Sequence, residues 1–186
     1  MLRQIRIGVF VVVAGIALVA ALAVRHTEAA KDEFRFDAAK LKDRSTWTQV
    51  NNDPYQMPAA VAALCAPVVL SEPESKKNPH ASAYITVYVN KVGRESMFAK
   101  EPQRFPEGSI IVKEKYHSPE DRKPLLYTIM RKREAGYNPK VGDWEFSVVG
   151  PNGTELQATG KLENCQGCHV SKSEADFVFR PYVTSQ

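Results

Sequence analysis

Near its C-terminal end the chain reads Cys165-Gln166-Gly167-Cys168-His169. Two thiols separated by two residues, with a histidine directly after, have the spacing of covalent c-type haem attachment. Each thiol can add to one vinyl group of a porphyrin, and the two-residue spacer lets both reach the same ring edge. His169 then lies under the iron, where its imidazole can donate a nitrogen as axial ligand. The pattern therefore predicts one covalent haem c held by Cys165, Cys168 and His169. Two other chemistries use the same residue types. Structural zinc takes Cys and His ligands, and Cys65 could supply a fourth. A thioredoxin-like redox pair also uses Cys-x-x-Cys, but it needs a βαβ context that this sequence lacks. Left single by the haem reading, Cys65 reads as a small buried hydrophobe within Ala62-Ala63-Leu64-Cys65-Ala66, with an intermolecular disulfide or a zinc ligand as the alternatives.

The elements that must position this motif are mostly strands. Tyr84-Ile85-Thr86-Val87-Tyr88-Val89-Asn90 alternates with period two. A short helix fits about Val92 to Lys100, stopping before Pro102. Phe105-Pro106-Glu107-Gly108 is a turn, Ser109 to Tyr116 a second strand and Leu125 to Arg133 a third. Trp144 to Val149 is a fourth, and Pro151-Asn152-Gly153 reverses it into a fifth, Glu155 to about Thr159; Asn-Gly between two such runs is a strong hairpin signal. The expected fold is α+β but mostly β: an antiparallel five-stranded sheet or partly open barrel with short helices and a C-terminal haem motif. The motif is expected on a short helix, with Ser171-Lys172-Ser173-Glu174 as a capping box for a further turn. The aromatic run Asp176-Phe177-Val178-Phe179-Arg180-Pro181-Tyr182 is expected to pack on haem or core.

At 186 residues the chain is long enough for one domain with a core and an N-terminal appendage. Its net charge is +4. Setting aside Arg3 and Arg6 leaves 23 basic against 21 acidic residues, too weak and dispersed an excess to argue for nucleic acid. From Ile7 to Val24 there are 18 consecutive apolar or glycine residues, flanked by Arg3 and Arg6 before and by Arg25 and His26 after. The run exceeds the about 7–15 apolar residues of a cleaved signal and reaches the about 17 at which a spanning helix begins. An uncleaved anchor is the favoured reading, although Ala21-Leu22-Ala23 allows cleavage. Either way the basic end stays inside, and the rest of the chain faces the periplasm. Three segments follow: 1–24 as anchor or signal, 25–79 as spacer and N-terminal extension, and 80–186 as the haem domain. Within the extension, a helix from about Ala59 to Cys65 and a polar loop over 71–79 are expected.

Four stretches together give a resemblance. Val87-Tyr88-Val89-Asn90, the run Phe105-Pro106-Glu107-Gly108-Ser109-Ile110-Ile111-Val112-Lys113-Glu114, Gly142-Asp143-Trp144, and the Cys165 to His169 motif with Ala175 to Phe179 after it resemble the cytochrome P-460 family. That family also resembles the β-sheet cytochromes c′. The resemblance covers about Tyr84 to Tyr182. It implies a mostly antiparallel β fold, haem bound through Cys165 and Cys168, His169 as axial ligand, and an opposite face open to a small gaseous or nitrogenous ligand. In the family's enzymes, which oxidise hydroxylamine, a lysine on the second strand is linked covalently to the porphyrin, and Lys113 stands at the matching position. The cytochrome c′ relatives lack the link and bind nitric oxide or carbon monoxide.

Lys113 also has support from its own surroundings. Mid-strand and two residues from Ile111, its stem belongs on an apolar face, where a lysine must snorkel, pair or lose its charge; the plain alternative is a sheet-edge lysine reaching water. Hydroxylamine oxidation would need a distal proton acceptor. The third strand instead offers Arg131, Lys132 and Arg133, while Glu114 and Glu163 are candidates only by proximity and read otherwise as solvated charges. Met57 or His80 could close the sixth position of an electron carrier, although a core methionine and an exposed loop histidine are the simpler readings. His26 and His117 read as surface residues. The sequence thus carries four functions: a haem oxidoreductase, a nitric oxide or carbon monoxide binder, an electron carrier, and a zinc domain. It allows a homodimer and leaves the redox partner unnamed.

Overall fold

Alternating β-branched and aromatic residues build one antiparallel sheet, and its two faces have different occupants. The computed structural model describes residues 36–43, 45–58 and 84–184. In chain order the strands are β1 (Trp47–Gln49), β2 (Tyr55–Gln56), β3 (Tyr84–Asn90), β4 (Ile110–Tyr116), β5 (Leu126–Lys132), β6 (Trp144–Val149) and β7 (Leu156–Gly160). Among the described residues there are two short α-helices: α1 (Arg94–Phe98) lies between β3 and β4, and α2 (Glu163–His169) follows β7. β3 to β7 pair in sequence order, while β1 and β2 both pair with β3. Among the described residues the sheet is open. The run Ile7–Val24, the expected Ala59–Cys65 helix and 71–79 loop, His26, Cys65 and His80 all lie outside these residues. Among the described residues no helix is long and apolar enough to cross a membrane.

The five expected strands are present, and β3 and β6 have the expected bounds. β6 and β7 form the hairpin that Asn152-Gly153 signals, with a bulge at Val148 and Val149. Gly108, at φ 82°, closes the turn after Phe105, where the Ser109 N–H donates to the Pro106 carbonyl. Two expectations are corrected. Among the described residues the sheet has seven strands rather than five, because β1 and β2 are too short to display a period of their own. α1 is shorter than Val92 to Lys100, because Ala99 turns to an extended conformation ahead of Pro102.

Register fixes the faces. Val89, Ile111, Met130 and Phe146 lie opposite one another across β3 to β6, as do Val87, Lys113 and Thr128 one step along. This first face carries the main core: Ile85, Val87, Val89, Ile111, Met130, Trp144 and Phe146, joined by Val50, Met97, Phe105, Val178 and Tyr182 from outside these strands. The C-terminal aromatic run thus packs on the core, as expected. The second face carries Tyr88, Val112 and Ile129 in one row and Glu114, Tyr127 and Val149 in the next. A strap at residues 36–42, ending in a 3-10 turn over Ala38–Lys42, lies on it. Phe36 meets the Tyr127 ring at 5.4 Å, and Lys42 donates to the Tyr88 hydroxyl at 2.8 Å. Leu41 is wholly buried. Leu41→Ala should lower stability by about 2–5 kcal/mol, read as a shifted midpoint in denaturant unfolding; an unchanged midpoint would return these residues to the status of a spacer.

Candidate functional site

α2 presents the motif. Cys165 and Cys168, three residues apart, share one side of the helix. Cys165 packs against the main core, and Cys168 lines the cavity described below. The His169 ring, in the last turn, is buried. It sits between two aromatic rings, with Phe146 of the sheet at 5.2 Å and Phe179 of the C-terminal segment edge-on at 5.1 Å. Its Nδ1 lies 2.7 Å from the Phe177 carbonyl oxygen. A carbonyl only accepts, so Nδ1 carries the proton and Nε2 keeps its lone pair. Burial, with the Lys113 charge adding to it, pushes the imidazole pKa down to about 3, against the pull of the carbonyl. The ring is therefore neutral at physiological pH, as a metal ligand must be.

Chain conformation after α2 brings that carbonyl into place. Residues Val170–Ala175 tighten into a 3-10 turn, and Asp176 and Phe177 then take left-handed conformations, at φ 50° and φ 65°. The capping box expected at Ser171 to Glu174 does not form. The Ser171 hydroxyl instead donates back to the Cys168 carbonyl, because the helix continues into this turn without a new start. Gly142 makes room for the turn. It has φ 63°, and a Cβ there would stand 2.7 Å from Phe177 Cδ2 and 2.9 Å from Asp176 Oδ1.

Cys168 and His169 open onto a cavity of about 810 Å3. Lys113 reaches the same cavity, along with Met57, Phe179, Arg180 and Tyr182. The Lys113 ammonium stands 5.8 Å from the Phe179 ring centre and 5.5 Å from that of Tyr182. The sheet-edge reading of this lysine fails: β4 is an interior strand, and the side chain leans over aromatic faces. Glu114 and Glu163 are elsewhere. Glu114 sits one residue along β4, so it points to the second face. It is 4% exposed rather than solvated, accepts from the Tyr116 hydroxyl at 2.8 Å and stands 3.6 Å from Lys42. Burial first, and this carboxylate second, push the Tyr116 phenol well up. Glu163 is exposed in the first turn of α2, and His117 is exposed as expected.

The residues present fit a haem. The cavity is of small-molecule-site size, and its rim is basic. Two buried polar atoms on its walls, Tyr182 OH and Arg180 Nε, have no hydrogen-bond partner among the described residues. Burial pushes the Tyr182 phenol up, and the neighbouring Lys113 charge draws it part of the way back. Another Arg180 nitrogen donates to the Ala99 carbonyl. An apolar macrocycle with acidic side groups would use such a wall. No three His, Cys, Asp or Glu side chains among the described residues converge as metal ligands, which gives the zinc reading no support from them.

The comparisons agree with this geometry. Residues 67–180, more than half of the chain, match the model of the cytochrome P460 family. The chain belongs to that family, and a haem cofactor follows from it. No curated protein matches the chain. The sequence puts Arg180 and Tyr182 in an aromatic run expected on haem or core without giving either a role of its own, and Gly142 only in the Gly142-Asp143-Trp144 match. The Gly142-Asp143-Trp144 match was the one signal that could have drawn attention to the glycine. Gly142→Ala should cost about 1–3 kcal/mol through backbone strain and crowding of the Asp176–Phe177 turn, measured by denaturant unfolding; no loss would mean that the turn yields freely.

Proposed function

We propose that this chain is an exported cytochrome carrying one haem c, attached through Cys165 and Cys168 with His169 as axial ligand, and that its cavity admits a small nitrogen compound such as hydroxylamine for oxidation. The observation that carries the reading is one cavity onto which Cys168, the Nε2-basic ring of His169 and Lys113 all open. The haem, when bound, supplies the redox chemistry. The chain's own residues do the rest. His169 binds through Nε2, and Phe146 and Phe179 keep water from its ring. Arg180 and Tyr182 offer donors to acidic groups. Lys113, at the position of the lysine joined to the porphyrin in the family's enzymes, is the proposed point of such a link here. The apolar run Ile7–Val24 supports export to the periplasmic side of the cytoplasmic membrane, with the run retained as an anchor or cleaved.

A second reading, binding of nitric oxide or carbon monoxide without turnover, draws on the cavity walls. Among its described lining residues the one carboxylate is Glu174, which is exposed, so none of them is a buried proton acceptor. Met57 also lines the cavity and keeps an electron carrier in view.

Spectra of the full-length protein separate these. An open site gives a high-spin ferrous spectrum that shifts when nitric oxide is added. Sustained reduction of an artificial acceptor by hydroxylamine supports the oxidoreductase, and a stoichiometric shift alone supports the binder. A low-spin ferrous spectrum indifferent to nitric oxide would contradict both. Digestion tests the link: a haem peptide containing Lys113 together with Cys165 and Cys168 is expected, and its absence would leave the lysine unbonded. Replacing both Cys165 and Cys168 by serine should abolish haem that survives denaturation, read by haem staining on a denaturing gel.

A further inference from the structure

The Phe177 carbonyl that fixes the His169 ring sits in an unfavourable piece of backbone. Neither Asp176 nor Phe177 is glycine, yet both occupy the left-handed region, where a bulky residue such as Phe is an outlier. Such conformations persist when the surroundings over-determine them. Here the surroundings are three separate parts of the chain: the end of β5, the start of β6 and the turn before β4. Asp176 Oδ2 accepts from Lys132 Nζ at 2.6 Å and from the Phe105 N–H at 2.8 Å. The Asp176 carbonyl accepts from Trp144 Nε1 at 2.8 Å. The Lys132 ammonium also stands 4.9 Å from the Trp144 ring centre. Side chains of the ion pair are only 5% and 4% exposed. A pair so deeply buried is weak evidence of stability, since desolvation offsets its attraction. Its geometry gives it another use. Lys132 ends β5 and Trp144 begins β6, so both are fixed by the sheet and hold Asp176 from that side.

We propose that the Lys132–Asp176 pair is a positioning device for the axial histidine: by anchoring Asp176 to the sheet it aims the next carbonyl, that of Phe177, at His169 Nδ1. This rests on the reading of His169 as axial ligand. The partner of a ligating imidazole's second nitrogen fixes ring orientation and raises ligand basicity. A firm Phe177 acceptor therefore strengthens donation from Nε2 and favours the oxidised iron. Loosening the anchor weakens the Nδ1–H bond, weakens the iron–histidine bond and raises the reduction potential.

The test uses the full-length, haem-loaded protein and reads the iron–histidine stretching band of the ferrous form and the reduction potential. Asp176→Asn keeps the shape and tolerance of the left-handed region but loses the charge; Lys132→Met removes the other partner. Both should lower the stretching frequency and raise the potential, and Lys132→Arg should restore values near those of the unaltered protein. If either single variant fails to fold through an unpaired buried charge, the double variant Lys132→Met with Asp176→Asn carries neither charge and should show the same two shifts. Leu41→Ala, on the other face of the sheet, serves as control: it should lower stability and move neither reading. The proposal is overturned if the pair variants lower stability as Leu41→Ala does and leave band and potential unmoved. His169→Gly tests the underlying reading separately. It should lose the iron–histidine band and regain one with added imidazole. A band unchanged by that substitution would remove the axial role and the proposal with it.

Discussion

The hydrogen bond from His169 to the Phe177 carbonyl ties together the two stretches of chain on which the cavity depends. One is α2, which carries both cysteines and the imidazole. The other is the C-terminal segment, which supplies Phe179, Arg180 and Tyr182. The bond sets which ring nitrogen has its lone pair, and burial between Phe146 and Phe179 keeps the ring neutral. A helix of seven residues could not hold a ring in one orientation by itself. The sheet does so indirectly, by holding the turn that follows the helix.

The sheet divides its work between faces. On the first, aliphatic side chains of β3 and β4 give way to Lys113, whose ammonium reaches the cavity over aromatic rings. On the second, the strap at 36–42 closes over tyrosines, and Glu114 is satisfied by Tyr116 and Lys42. Adjacent residues of one strand, Lys113 and Glu114, thus serve opposite sides. Period-two alternation alone separates a residue of the cavity from one of the supporting layer.

Much of this was legible in the chain. Strong alternation marked β3 and β6, Asn152-Gly153 marked the last hairpin, and the Cys165 to His169 spacing pointed to the candidate site. What was not legible has physical reasons. β1 and β2 have three and two residues, too few to show a period. Glu114 reads as surface because carboxylates usually are; its burial depends on Lys42, 72 positions away in sequence, and on a phenol in the same strand. The left-handed turn at Asp176 and Phe177 has little sequence signal: aspartate tolerates that region, but a phenylalanine after it gives no hint of a second such residue. It exists because Lys132, Phe105 and Trp144 converge on it from distant segments. Spacing suggested a candidate chemistry, and only the fold shows what surrounds those residues.

The account depends above all on a porphyrin joined to the thiols of α2. The most direct measurement is the intact mass of the protein under denaturing conditions, after treatment with a thiol-alkylating reagent. It should come from a host that matures c-type cytochromes. The account predicts the mass of the chain plus one haem, with Cys165 and Cys168 unmodified by the reagent. A haem-free mass with both residues alkylated would contradict it.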